Sequence, residues 1–221
     1  MTWVRVSEDG RQKDERFTDR ALLLMAVGFG EKCGRLDEFR LMKIPFMVQY
    51  RLNQEHVKSF SYRFYRETYG PVSKAIYEDR DMLMGAGLLE ADPESRRLTA
   101  WGKKLFAVLR KELKGHGEND HVVGVIKEKA EKTCKESGWK RIKNEIYSLP
   151  VTVPNQGTIT IEQAEQYTDV LFKLPAKSAK GSITLPQPAK DALSFALSLT
   201  PSDLEASSID SGLTLEEVFA I

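Results

Sequence analysis

Between residues 63 and 97 the chain gathers the side chains that a phosphate-binding surface needs: Arg63, Arg66, Lys74, Tyr77, Arg80, Arg96 and Arg97. Lys and Arg contacts to phosphates supply most of the affinity for DNA. Outward residues of a helix seated in the major groove read the bases. Lys74, Tyr77 and Arg80 fall on one helical stretch, and Arg96 and Arg97 on the hairpin after it. Arg63 and Arg66 precede the turn and can share that face. Glu78, Asp79 and Asp81 lie on the same helix and oppose phosphate, so the competing reading is a solvated charged face or a protein interface. Tyr62, Phe64, Tyr65 and Tyr69 alternate with Arg63 and Arg66, a pattern that suits either base stacking or a core under a strand.

Other residue types give weaker signals. His116 and His121 flank a loop with Glu118 and Asp120, but no metal-ligand spacing accompanies them. Gly28-Phe29-Gly30 follows a helical run rather than a strand and lacks the third glycine of a dinucleotide loop. Cys33 and Cys134 have neither metal nor redox spacing and read as reduced thiols. There is no P-loop and no nucleophile elbow. The expectation is a non-enzyme without metal or cofactor, with a hydrolase or nuclease as the weakest alternative.

The elements that must position these residues read mostly as helices. Thr18 or Asp19 is expected to cap a helix starting near Arg20, which carries the apolar run Ala21 to Val27 and ends near Gly28–Gly34. That run is too short for a membrane span. The first residues lack an apolar signal core, so the expected location is cytoplasmic. A second helix runs from Leu36 to Tyr50, with Pro45 expected to bend or split it. Phe60 to Tyr65 reads as a strand or extended loop. Pro71 is expected to open a helix ending near Ala86. Short strands are expected at 88–90 and 96–99, then a Thr99-capped helix to Lys114 and helices over 122–136 and 139–147. After Pro150 the helices expected are 161–174, 189–199, 202–208 and 215–220.

Residues 150–221 hold four Lys, no Arg and nine Asp or Glu, a net −5, which leaves +6 for residues 1–149 of a chain whose total is +1. A basic front and an acidic back suggest parts with different jobs. The organisation expected is a polar arm over 1–17, a domain over 18–114, a helical extension over 121–149 and an acidic helical region over 150–221. Phe195, Leu199, Leu215, Val218 and Phe219 are the residues by which that last region would dock on a partner. The alternative is that it packs back on the front half and screens the basic face.

Five motifs occur in order: Leu41-Met42-Lys43, Phe60 to Tyr65, Tyr69-Gly70-Pro71-Val72-Ser73, Gly87-Leu88-Leu89 and Leu98-Thr99-Ala100-Trp101-Gly102. In this order they resemble the YwgA-like and SocA/Panacea antitoxin-type winged-helix proteins over residues 20–113. Val72 stands where that pattern has an aromatic, and Pro45 interrupts a helix that is continuous in it. The resemblance implies a mostly α fold with minor β structure, a winged helix with a short hairpin wing. It also implies neutralisation of a toxin-like partner protein, in some members with DNA binding. The reading is therefore a non-catalytic regulatory module that binds a partner protein, with double-stranded DNA as a second ligand and a homodimer as one form of assembly. A purely structural adaptor is the alternative.

Overall fold

The computed structural model describes residues 10–92, 94–170 and 181–198. Helix α1 (Lys13–Gly30) is the central element and packs most extensively against α2 (Glu38–Gln54), α3 (Lys74–Gly85), α4 (Ala100–Leu113) and α5 (Glu118–Lys135). Every residue from Ala21 to Gly30 is buried, so the apolar run lies at the centre of the core. Among the described residues no helix is long and apolar enough to cross a membrane. The helix starts earlier than the expected Thr18 or Asp19 cap. The Gln12 N–H donates to the Glu15 carboxylate at 2.8 Å, and Asp19 is instead a fully buried residue inside the helix.

Helix α2 is capped by Asp37, whose carboxylate accepts from the Arg40 N–H at 2.9 Å. It continues through Pro45, contrary to the expected split. All residues from Arg40 to Val48 are buried, so packing on both sides outweighs the hydrogen bond that the proline removes.

Strands β1 (Val57–Lys58), β2 (Phe64–Glu67) and β3 (Gly70–Val72) follow. The Gly-Pro element is the second arm of a β2–β3 hairpin rather than a helix start, with Arg66 opposite Pro71 and Glu67 opposite Gly70. Pro71 is accommodated because β3 is an edge strand, where a missing N–H costs no ladder bond. Gly70 has φ +95°, a left-handed conformation that glycine adopts without strain.

After α3 the chain makes a minimal hairpin, a single bridge between Leu89 and Leu98 with the Glu90 N–H donating to the Arg97 carbonyl at 2.9 Å. The Thr99 cap is as expected, its hydroxyl accepting from the Gly102 N–H at 3.0 Å. Helix α6 (Trp139–Tyr147) also matches its expected span.

Beyond Pro150 the chain departs from the expected run of helices. It forms a hairpin of β4 (Pro150–Val153) and β5 (Gly157–Thr160), and turns instead of a helix over residues 161–168. Val151, Val153 and Ile159 with the Asn155-Gln156-Gly157 turn carry a two-residue period that favours strands. Strand β6 (Asp169–Val170) then joins the free side of β2, giving the order β3-β2-β6. Strand β7 (Gly181–Ser182) pairs in parallel with β1, and helix α7 (Gln187–Ser198) packs on α4 and α1. The acidic half is thus woven into the basic half at three places. The helices expected at 202–208 and 215–220 lie outside the described residues.

Candidate functional site

The seven residues expected to face nucleic acid are not equally available. Arg96 is 5% exposed, and its guanidinium donates to Glu38 at 2.9 Å and touches the Met84 sulfur. Arg80 also binds Glu38, adds Asp81 at 2.5 Å, and lies 5.0 Å over the Tyr77 ring. Glu38 at the start of α2 thus ties both arginines, and Tyr77 is half-buried beneath one of them. Lys74, Arg63 and Arg97 are exposed, the last within reach of the Ser95 hydroxyl at 3.2 Å. Beyond Lys74 in its first turn, the outward face of α3 is acidic and apolar: Glu78, Asp81 and the 46%-exposed Met82 border a cleft closed on its far side by Leu197 of α7. Phe195 of α7 is half-buried. Leu199, Leu215, Val218 and Phe219 lie outside the described residues.

Arg66 sits elsewhere. It lies 5.3 Å over the Tyr147 ring, on a surface shared with Tyr69 and α6. Of the aromatic series, Tyr62 and Phe64 are core residues and Tyr65 is half-buried, whereas Tyr69 is 53% exposed at the hairpin tip.

Two interior junctions position these surfaces. In the first, the Leu-x-Lys and Gly-Pro motifs meet. The Lys43 ammonium donates to the Pro71 carbonyl at 2.8 Å and lies 5.2 Å over Phe39, while the Ser73 N–H points at the Met42 sulfur. Lys43 is 1% exposed, so the amine is sealed from any substrate and anchors the hairpin instead. Burial pushes it down to about 7, with Glu67 opposing.

In the second junction, two buried carboxylates from α1 and α3 share one arginine. Arg11 donates to Asp19 at 2.8 Å and to Asp79 at 2.6 Å. Asp79 also accepts from Arg20 at 2.8 Å and from the Tyr62 hydroxyl at 3.0 Å. Asp19 accepts from the Ser61 N–H at 2.8 Å. Burial pushes the Asp19 carboxyl up to about 7, against the pull of Arg11 and Ser61.

These two groups give a pH dependence with a worked sign. The folded state releases the Lys43 proton near 7, and the unfolded chain holds it to about 10.5. The unfolded state binds more protons between those limits, so this group makes stability rise with pH there. Asp19 acts the other way. The folded state keeps its proton to about 7 and the unfolded chain loses it near 3.8, so stability falls as pH rises through that window. Urea unfolding from pH 4 to 9 should show a minimum near neutrality. Lys43→Met should flatten the upper limb while leaving the lower one.

The histidines do not converge. His121 pairs with Glu55 at 2.6 Å, while His116 borders a small cavity with Asn119 and Thr184. Among the described residues no group of three or more His, Cys, Asp or Glu is placed to hold a metal ion. Cys33 and Cys134 are free thiols, and burial pushes the Cys134 thiol up to about 12. Gly28 is a helix-packing glycine, where an added Cβ would press on the Phe106 ring at 2.6 Å.

Sequence reasoning missed Asp79 as an interior group and Trp139, Lys140 and Lys143 as a surface. Asp79 had a signal in its spacing, three residues after Ile76 and four before Leu83 on the buried stripe. The α6 sequence Trp139-Lys140-Arg141-Ile142-Lys143 had one in its cation density. Set against known proteins, the chain matches no family model, no curated protein and no solved structure.

Proposed function

We propose that this chain is a non-catalytic, antitoxin-like regulatory module that binds a partner protein through the outward face of α3 and the adjoining α7 cleft. In this reading α1, α2 and α3 with the Leu89–Leu98 hairpin constitute a winged helix in which α3 occupies the recognition position. The observation that carries the proposal is the fate of the arginines. Arg80 is held by Glu38 and Asp81, and Arg96 by Glu38, which leaves Glu78, the Arg80-paired Asp81 and Met82, with Lys74 at the first turn, as the outward groups. Carboxylates repel phosphate, whereas an exposed methionine flanked by acids suits a protein partner with basic and apolar side chains. Lys74, Arg63 and Arg97 are the exposed cations that a duplex DNA role would use.

The test is co-expression with the product of the neighbouring reading frame. The intact chain should relieve growth arrest caused by that product, and Asp81→Lys/Met82→Arg, altered only at exposed positions, should not. Failure of the intact chain to relieve arrest or bind the product overturns the antitoxin reading. Salt-sensitive duplex binding that is lost in Lys74→Ala/Arg97→Ala would favour the DNA role instead.

A further inference from the structure

We propose that the tip of the β2–β3 hairpin and one face of α6 form a binding site for single-stranded nucleic acid, separate from the α3 face and independent of its role. Tyr69 and Trp139 are 53% and 41% exposed, and their rings meet edge to face at 5.6 Å. Large rings left this open at adjoining positions offer stacking surfaces to any unpaired base. Cations surround them. Lys143 lies 5.5 Å from the Tyr69 ring, 6.0 Å from Trp139 and 4.7 Å from Tyr147, with Lys140 6.0 Å from Trp139. Arg66 closes the far side over Tyr147.

These three cations differ from Arg80 and Arg96 in lacking a carboxylate partner among the described residues. Of the carboxylates near α6, Glu136 is engaged with Arg141 and Glu145 with Lys132, while Glu162, beside Tyr147, and Glu67, on the hairpin, border the site. Arg66 Nε is buried and without a hydrogen-bond partner. The site is built rather than incidental, because Phe39 supports Trp139 edge-on and the Tyr147 hydroxyl fixes the hairpin through the Thr68 carbonyl at 2.5 Å.

A duplex hides its base faces and cannot use the rings, whereas a single strand presents base and phosphate together. Protein interfaces favour Tyr and Trp but deplete lysine at their centre, so lysines set around the two rings favour a polyanion over a peptide.

The test uses the full chain with fluorescein-labelled oligo-dT and oligo-rU of about 15 nucleotides, a length that spans one such site. Tyr69→Ala and Trp139→Ala should each weaken binding at least about fivefold, the lower limit for loss of one stacked base. Lys140→Gln/Lys143→Gln should reduce the logarithmic salt slope by about 1.4, two phosphates' worth for a single strand. Lys140 is exposed and Lys143 half-buried, and glutamine keeps both side chains long and polar, so this variant keeps the test valid should Trp139→Ala unfold. A duplex of matching sequence should bind more weakly. The proposal is overturned by no binding of either strand to the intact chain, by variants that bind like it, or by equal duplex binding. Binding of poly-glutamate in place of the strands also overturns it and assigns the face to an acidic protein.

Discussion

Asp79→Ala should destabilise the protein by about 3–5 kcal/mol, the cost of removing one member of a buried ion cluster and stranding the rest. Asp79 is fully buried and accepts from Arg11 and Arg20, just ahead of α1 and within it, and from the Tyr62 hydroxyl some forty residues on. Tyr62 is also buried, so its hydroxyl would lose this partner without compensation from solvent. Tyr62→Phe deletes one donor but leaves both guanidiniums on Asp79 and should cost only about 1 kcal/mol. The comparison separates a cluster effect from a single hydrogen bond. Urea midpoints for both variants check it, and an Asp79→Ala loss no larger than that of Tyr62→Phe would show that the cluster is not a stability centre.

Gly102→Ala should cost about 3 kcal/mol, at the upper end for an overpacked site. Gly102 sits in the first turn of α4, where an added Cβ would overlap the Leu88 carbonyl oxygen and lie 3.1 Å from its carbon. Neither neighbour can yield cheaply. The Leu88 carbonyl accepts from the Thr99 N–H at 3.1 Å, and the Thr99 hydroxyl both donates to the Gly87 carbonyl at 2.6 Å and accepts from the Gly102 N–H. The glycine thus lets the end of α3's turn and the start of α4 close on each other. Gly124→Ala is the matched control: it is a helical glycine with nothing near its added Cβ, where alanine should be neutral or stabilising. Thermal melts of the two would check the contrast, and equal melts would refute the close-approach argument.

The close approach at Gly102 explains why part of this molecule is legible from sequence. Gly87-Leu88-Leu89 and Leu98-Thr99-x-x-Gly102 are local signals that report one contact, and Leu41-Met42-Lys43 with Gly70-Pro71 report another. The Thr99 cap likewise places the start of α4, and periodicity places α6 and the body of α3 but not its start, because those signals depend on neighbours within a turn. Position 71 is ambiguous in sequence because proline suits a helix start and an edge strand equally, and only the pairing of β2 on its two sides decides between them. The candidate site residues are legible as types and not as partners. Nothing local to Arg80 or Arg96 indicates that Glu38, more than forty residues earlier, takes both. Nothing local marks Lys143, because one ring it lies against, Tyr69, belongs to a different stretch of chain.

The pairing of Phe64 with Val170 and Tyr65 with Asp169 also sets a schedule for synthesis. Strand β2 leaves the ribosome roughly a hundred residues before β6, on the order of ten seconds at ordinary elongation rates. Through that interval one flank of the sheet is an uncovered template for foreign strands. A fragment ending at residue 149 is held permanently at that stage, also lacking β7 and α7. Its behaviour would report on a nascent chain rather than on an independent basic half.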